Sequence, residues 1–405
     1  MIPRGAPYIA WSDLAAAALN CLGTGDRESA QERIETAWAP NSVVLLSVRS
    51  GLDALFQVLA LPALSEVIVS AITIPHILDI LAHHGLVAVP VDVDTDTLAV
   101  DVNAIGRAIT SRTKAILVAH LFGSRMSLDR IAAVATEHGL LLLEDCAQAN
   151  DGSAYRGHAD SAVSMFSFGA IKRQTALGGA LLRFKDPVLA NRVRLTQAAY
   201  PVLGRGPYLK RVLTMTLVKG VVARPVFRLF VAGCRWLGRD HDKTLGTALR
   251  GFAHGNLFAR LRQHPGAPLL RTLRRRLGQP SLKPIAQRVA VVDAVSAAYP
   301  TLARAGASAE HHTHWLFPMM TPEPDALMHH LWDHGYDATR GASNLVSVPA
   351  PEGRPVPVCA ERLMMNVLYL PLCPSASPQQ MQRMAAVIRD YHAVPLTDRQ
   401  HAAVG

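Results

Sequence analysis

The sequence predicts an α/β fold, a mostly parallel sheet covered by helices, followed by a smaller carboxyl-terminal α+β domain. Three observations predict it. Seven short apolar runs recur between residues 43 and 184: VVLLSV at 43–48, EVIVSA at 66–71, VAVPVDV at 87–93, AILVAHL at 115–121, LLLLED at 140–145, VSMFSF at 163–168 and ALLRF at 180–184. Helix-length connections such as SLDRIAAVATEHG separate them. Runs that are apolar on both faces and joined in this way belong to parallel strands buried under helices. After about residue 300 the pattern changes to HWLFPMM, PDALMHHLWDHGY, NVLYLPL and SPQQMQRMAAVIRDY, which reads as strand, helix, strand and helix.

Three regions result: a large domain over 1–200 with an amino-terminal arm, a basic helical segment over 201–290, and the small domain over 291–405. A chain of 405 residues, half of them apolar, is long enough to bury such a core. The amino terminus lacks a basic stretch followed by a continuous apolar run, and no segment offers roughly 18 uncharged apolar residues, so the expectation is a protein neither secreted nor membrane-spanning. Five scattered cysteines without CxxC spacing (Cys21, Cys146, Cys234, Cys359 and Cys373) indicate neither a disulfide framework nor a zinc site, and fit a reducing cytoplasm.

The net charge of +10 is concentrated in residues 201–290, where eighteen Lys and Arg stand against Asp240 and Asp242. Bases interleaved with aliphatics in YLKRVLTMTLVKGVVARPVFRLFVAG predict helices with one basic and one apolar face. Such a segment can lie on an anionic membrane, hold a diphosphate or other acidic substrate, or form a solvated face over a packed underside. The last is the favoured expectation.

In open sheets of this kind ligands gather beyond the carboxyl ends of the strands, and the residues that end these runs are polar. LLLLEDCAQA closes on Glu144 and Asp145. SMFSFGAIKRQTALGGA puts Ser167 at a strand end, Lys172 five residues on, and Gly178-Gly179 before the next run. SVRSGLDALFQVLALPAL places Ser50 and Gly51 where a strand passes into a helix, an arrangement whose free amides suit an anion and which is also a common cap. A strand-end carboxylate can equally be solvated, and a lone lysine is more often surface than nucleophile.

Together and in this order, these elements resemble the DegT/DnrJ/EryC1/StrS family of sugar aminotransferases dependent on pyridoxal phosphate (PLP). The resemblance runs from IPRGAPYIAWSDLAAAAL through EDCAQANDG to FSFGAIK, and resumes at ERLMMNVLYLPLCPSASPQQMQRMAAVI. It implies the fold of aspartate aminotransferase (PLP fold type I) and a homodimer. It also implies that Lys172 carries PLP as a Schiff base and moves a proton, and that Asp145 faces the pyridine nitrogen. Gln148 would lie near the ring's 3-oxygen, with Ser167 and the amides of Gly51 and Leu52 on the phosphate. Some relatives are dehydratases with histidine at the lysine position, so Lys172 favours transamination from glutamate or glutamine to a keto sugar or related polar ketone.

Four departures stand out. Alignment on Thr73 puts Ile74 where the family has an aromatic against the cofactor ring, and His76 either supplies that face or only begins a helix. Leu52 replaces a small hydroxyl residue, and Asn150 a common histidine. The usual Gly-Tyr-Asn-x-Arg stretch, through which a partner subunit reaches the neighbouring site, is missing, and the basic segment lies there. Arg340 is an expected partner for a substrate carboxylate, with simple exposure as the bland alternative. His311, His312 and His314 are expected at a surface or edge rather than on a metal. Two other functions compete: different PLP chemistry, such as a dehydratase or racemase step, and a binding protein that keeps the fold without catalysis and uses the basic segment. Nucleic acid is not the expected partner.

Overall fold

A computed structural model describes residues 1–23, 25–249, 256–279, 283–373 and 376–394. Parts of the basic segment, 250–255 and 280–282, lie outside the described residues. All seven apolar runs form one sheet. Its strands are β1 (Ser42–Leu45), β2 (Glu66–Ser70), β3 (Val87–Val91), β4 (Thr113–Ala119), β5 (Leu141–Asp145), β6 (Val163–Ser167) and β7 (Ala180–Phe184). The spatial order is β1-β7-β6-β5-β4-β2-β3, and only β7 runs against the others. Both faces are covered. Leu52, Leu55, Phe56, Ile80 and Val193 fill one side, while Ile105, Ile131, Ala132 and Leu363 close the other.

Register sets the site. Asp145 pairs with Met165, Ser167 with Ala180, and Ala180 in turn with Leu45. The carboxyl ends of β5, β6 and β1 therefore lie side by side, with the Gly178-Gly179 turn across them. Gly178 N–H donates to Phe168 O at 3.1 Å and Gly179 N–H to Leu46 O at 2.8 Å. Gly178 has φ +154°, in a region that L side chains rarely adopt.

Seven helices frame the site and the basic segment: α1 (Trp11–Leu22), α2 (Arg27–Trp38), α3 (Val48–Leu59), α4 (Arg205–Val221), α5 (Arg224–Trp236), α6 (Ala267–Leu277) and α7 (Lys283–Ala298). The basic segment is helical as expected. α4 buries Tyr208, Val212, Met215 and Val218, and α5 buries Phe227, Val231 and Cys234. Their outer faces correct the expected clean division into basic and apolar, because Leu213, Leu217, Leu229 and Trp236 also stand exposed among the bases. The arginines of α6 are not simply solvated either. Arg275 and Arg276 bind the buried Asp13 carboxylate at 2.7 and 2.5 Å, and Arg276 also donates to Tyr8 O and Thr175 O.

In the small domain Pro318–Met320 pairs with Val367–Tyr369 under helices Pro324–Asp333 and Pro378–Ala393. Two short ladders attach it to the large domain: His311–His312 to Ser124–Arg125, and Val346–Ser347 to Ile72–Thr73. Among the described residues no helix is long and apolar enough to cross a membrane.

Candidate active site

Side chains alternate along β5, so Glu144 and Asp145 point to opposite faces. Glu144 is fully buried and accepts from His120 Nε2 (3.0 Å), Tyr155 Oη, His158 N (2.8 Å), Ser161 Oγ and Ser164 Oγ (2.7 Å). Burial alone would raise its pKa, but these donors and the His120 charge hold it well below the carboxylate range. His120, Glu144 and Cys146 bring three metal-type donors within 4.8 Å of one another. With its lone pairs already filled, Glu144 serves as the buried anchor of the strand end.

Asp145 faces the other way. Its Oδ1 accepts from Ala147 N at 2.8 Å, its backbone carbonyl accepts from His120 N, and burial pushes its carboxyl pKa up despite the attraction of Lys172. A desolvated carboxylate of this kind gains most from a cationic partner.

Lys172 lies in the turn after β6, with its N–H bonded to Gly169 O at 3.0 Å. Its Nζ sits 4.1 Å from the centroid of the Trp315 ring, and Trp315 Nε1 donates to Ile171 O at 3.3 Å. Burial lowers the Lys172 pKa to about 8; Asp145 opposes the shift and Arg49 adds to it. An amine with this pKa is about one-tenth unprotonated at pH 7, a far larger nucleophilic fraction than an ordinary lysine has. Trp315 reaches this position because Gly123 allows close approach: a β-carbon there would stand 2.5 Å from Trp315 N.

Gln148 accepts from Phe122 N at 2.8 Å through Oε1, which turns its amide nitrogen outward as a donor. Ser167 Oγ lies 3.4 Å from Gly169 N. Lys172, Asp145, Gln148 and Ser167 are thus gathered at one end of the sheet.

Other expectations need correction. The Gly51 amide already donates to Ser47 O at 3.0 Å, and Ser50 N–H is capped by Ser47 Oγ at 3.1 Å. Gly51 and Leu52 are therefore inside α3, one turn past its start, and cannot offer free amides to a phosphate. Gly51 is required for another reason, since a β-carbon there would lie 2.6 Å from Leu182 Cδ2. The backbone donors that precede the Ser47 cap bond belong to Val48 and Arg49.

His76 begins the helix Pro75–His83, and its Nδ1 accepts from Arg49 Nη1 at 2.8 Å. Burial and then Arg49 lower its pKa. Arg340 donates within the small domain to Asp325 Oδ2 (2.8 Å) and Met365 O (2.8 Å). Of the three histidines only His311 is exposed; His314 is buried and stacks on half-buried His312 at 4.1 Å. Burial is the main reason that these two pKa values fall to about 4 and about 3.

Trp315, Arg49 and Arg211 were not singled out by the sequence. Arg49 carries a local signal, a base just before Ser50-Gly51. Trp315 lies 144 residues from its partner Ile171, and nothing local announces the contact.

Residues 21–206 match the model of the DegT/DnrJ/EryC1/StrS aminotransferase family. The fold matches solved structures over almost its whole length. An aminotransferase, TlmJ, from Streptoalloteichus hindustanus is 20% identical, with a TM-score of 0.69, covering 97% of this chain and 99% of that one. A 3-amino-5-hydroxybenzoic acid synthase is 19% identical at TM-score 0.67, covering 97% and 99%. Helicobacter pylori PseC, an aminotransferase involved in the biosynthesis of pseudoaminic acid, is 17% identical at TM-score 0.66, covering 97% and 100%. Identities this low establish the fold, fold type I, while the family match falls on the stretch that holds Asp145, Gln148, Ser167 and Lys172. Over residues 21–206 the chain is thus similar to the DegT/DnrJ/EryC1/StrS aminotransferases, a family whose members depend on PLP.

Proposed function

We propose that this enzyme transfers an amino group from glutamate or glutamine to the ketone of a keto sugar or similar polar acceptor, the donor product leaving before the acceptor enters. The observation that carries the reading is the pairing of Lys172, its pKa lowered to about 8, with the desolvated Asp145 across adjacent strand ends. The donor set fits PLP: Lys172 for the aldehyde, Asp145 for the pyridine nitrogen, the amide nitrogen of Gln148 for the 3-oxygen, and Ser167 for the phosphate. When bound, PLP supplies an electron sink for negative charge at the carbon that loses its proton. Lys172 then has two tasks, holding the cofactor and, once displaced by an amine, carrying a proton across the same face. The Trp315 ring, 4.1 Å from the Lys172 amine, adds an aromatic wall beside it. A dehydratase reading is disfavoured by a lysine at position 172, and a purely binding role by the intact set of four.

The test is the absorption spectrum of the protein with PLP, before and after glutamate, beside that of Lys172→Ala. The expected result is a visible band that requires Lys172 and is bleached by the amino donor. Absence of any Lys172-dependent band would overturn the reading. A band that neither glutamate nor glutamine changes would overturn the donor assignment.

We further read the enzyme as a cytoplasmic homodimer, the dimer by family likeness. Cys21, Cys146 and Cys234 are buried thiols outside any disulfide, in keeping with a reducing setting. The outer faces of α4 and α5 combine exposed Leu213, Leu217, Leu229 and Trp236 with Lys210, Arg228 and Arg235, and Arg239 follows just past α5. That mixture favours peripheral contact with an anionic membrane over a merely solvated face.

A further inference from the structure

Two arginines flank the place where the PLP reading puts the cofactor phosphate, and neither comes from the set of four. Arg49 lies in the first turn of α3, beside the Ser47 cap. Arg211 comes from α4, in the basic segment, and its Nη1 lies 3.5 Å from Leu177 O and 2.9 Å from where a β-carbon on Gly178 would stand. The Gly178-Gly179 turn is itself bonded to Leu46 O and Phe168 O, so the Arg211 guanidinium rests on the bridge between the start of α3 and the end of β6. Ser47 and Ser167 lie at the two ends of that bridge.

Positive charge is concentrated there. Both arginines are half-buried, and among the described residues no carboxylate forms an ion pair with Arg211. Burial lowers the pKa of each; Arg49 falls to about 10, with repulsion from Arg211 as the second cause. Two desolvated guanidinium groups beside a lysine raise one another's cost unless an anion stands between them. Because Gly51 and Leu52 have no free amides, the helix start alone supplies few donors for a dianion. A phosphate monoester matches the forked donors of arginine.

Resting on the PLP reading, we propose that Arg211 and Arg49 bind the cofactor phosphate from within the same chain, so that the basic segment completes the cofactor site. The segment, for which a solvated face was the favoured expectation, thereby gains a binding role.

The test compares PLP with pyridoxal, which has the aldehyde and ring but no phosphate. Each is titrated against the wild-type protein, Arg211→Ala, Arg211→Lys and Arg49→Gln, with the Lys172-dependent band as the readout and circular dichroism as the check on folding. Loss of a charge-assisted contact is expected to weaken PLP about tenfold or more in Arg211→Ala, and less in Arg211→Lys, with pyridoxal nearly unchanged. Arg49→Gln is expected to follow the same pattern, and inorganic phosphate to compete with PLP in the wild type more strongly than in either charge-removing variant. Equal weakening of PLP and pyridoxal, or no weakening of either, would overturn the proposal while leaving the PLP reading in place. A wild-type protein without the band would overturn both. Should Arg211→Ala fail to fold, Arg211→Lys and Arg49→Gln decide the matter by the same ratio.

Discussion

At the scale of single residues, the neighbouring acids of β5 divide two tasks by facing opposite ways. Glu144 is saturated with donors, so Glu144→Gln sets an amide nitrogen against groups that all need an acceptor and is expected to cost on the order of 3 kcal/mol, read as a lower midpoint in urea. The sign with pH follows from its lowered pKa: the stabilisation is complete above the ordinary carboxylate range and is lost as pH falls toward the folded value. The Gln variant should lose that part of the acid dependence. Lys172 gives the complementary prediction. Its amine is unprotonated above about 8, so without cofactor the rate of its acylation by an amine-directed reagent should rise with pH and level off above that value. Asp145→Asn removes the attraction that opposes the shift and should move the inflection lower; an inflection near the ordinary lysine value would contradict the described burial.

At the scale of elements, α3 shows what a glycine is for. In isolation Gly51→Ala should favour a helix by about 1 kcal/mol. Against the sheet, however, the new methyl meets Leu182 Cδ2 at 2.6 Å and Cδ1 at 2.9 Å, and overpacking costs roughly 1–3 kcal/mol. The clash is expected to win, lowering the melting temperature, with Leu182→Ala recovering part of the loss in the double variant. A more stable Gly51→Ala would show that Leu182 moves freely. Here the sequence was legible only in part. The seven strands could be read because parallel strands buried on both faces leave continuous apolar runs, and Asp145 and Lys172 could be read because polar residues ending such runs are unusual. The exact start of α3 could not, since a Ser-Gly pair fits both the first turn and the position before it. The Ser47 cap, seen only in three dimensions, moves Gly51 inside the helix.

At the scale of the molecule, hydrophobic periodicity marks apolar residues but does not say which of them have a partner, and this is why the outer faces of α4 and α5 were expected to be simply basic. Leu213 and Leu217 lie one turn apart on α4, while Leu229 and Trp236, two turns apart on α5, are 74% and 86% exposed. Bases on an otherwise polar surface would bind anions by charge alone, and that attraction fades over a Debye length of ~8 Å at physiological salt. Exposed leucines and a tryptophan add a component that salt does not screen. Sedimentation with vesicles containing an anionic lipid is therefore expected to fall with added salt but not to zero, and to fall further in a Leu229→Ser/Trp236→Ser variant at the same net charge. With neutral vesicles, binding should be much weaker, because the bases that hold the helices near the surface have nothing to pair with. Equal and complete loss of binding with salt in the parent and the variant would assign the face to charge alone. Failure to sediment with anionic vesicles at low salt would leave these residues to a protein contact, and the place to look would be the interface of the expected homodimer.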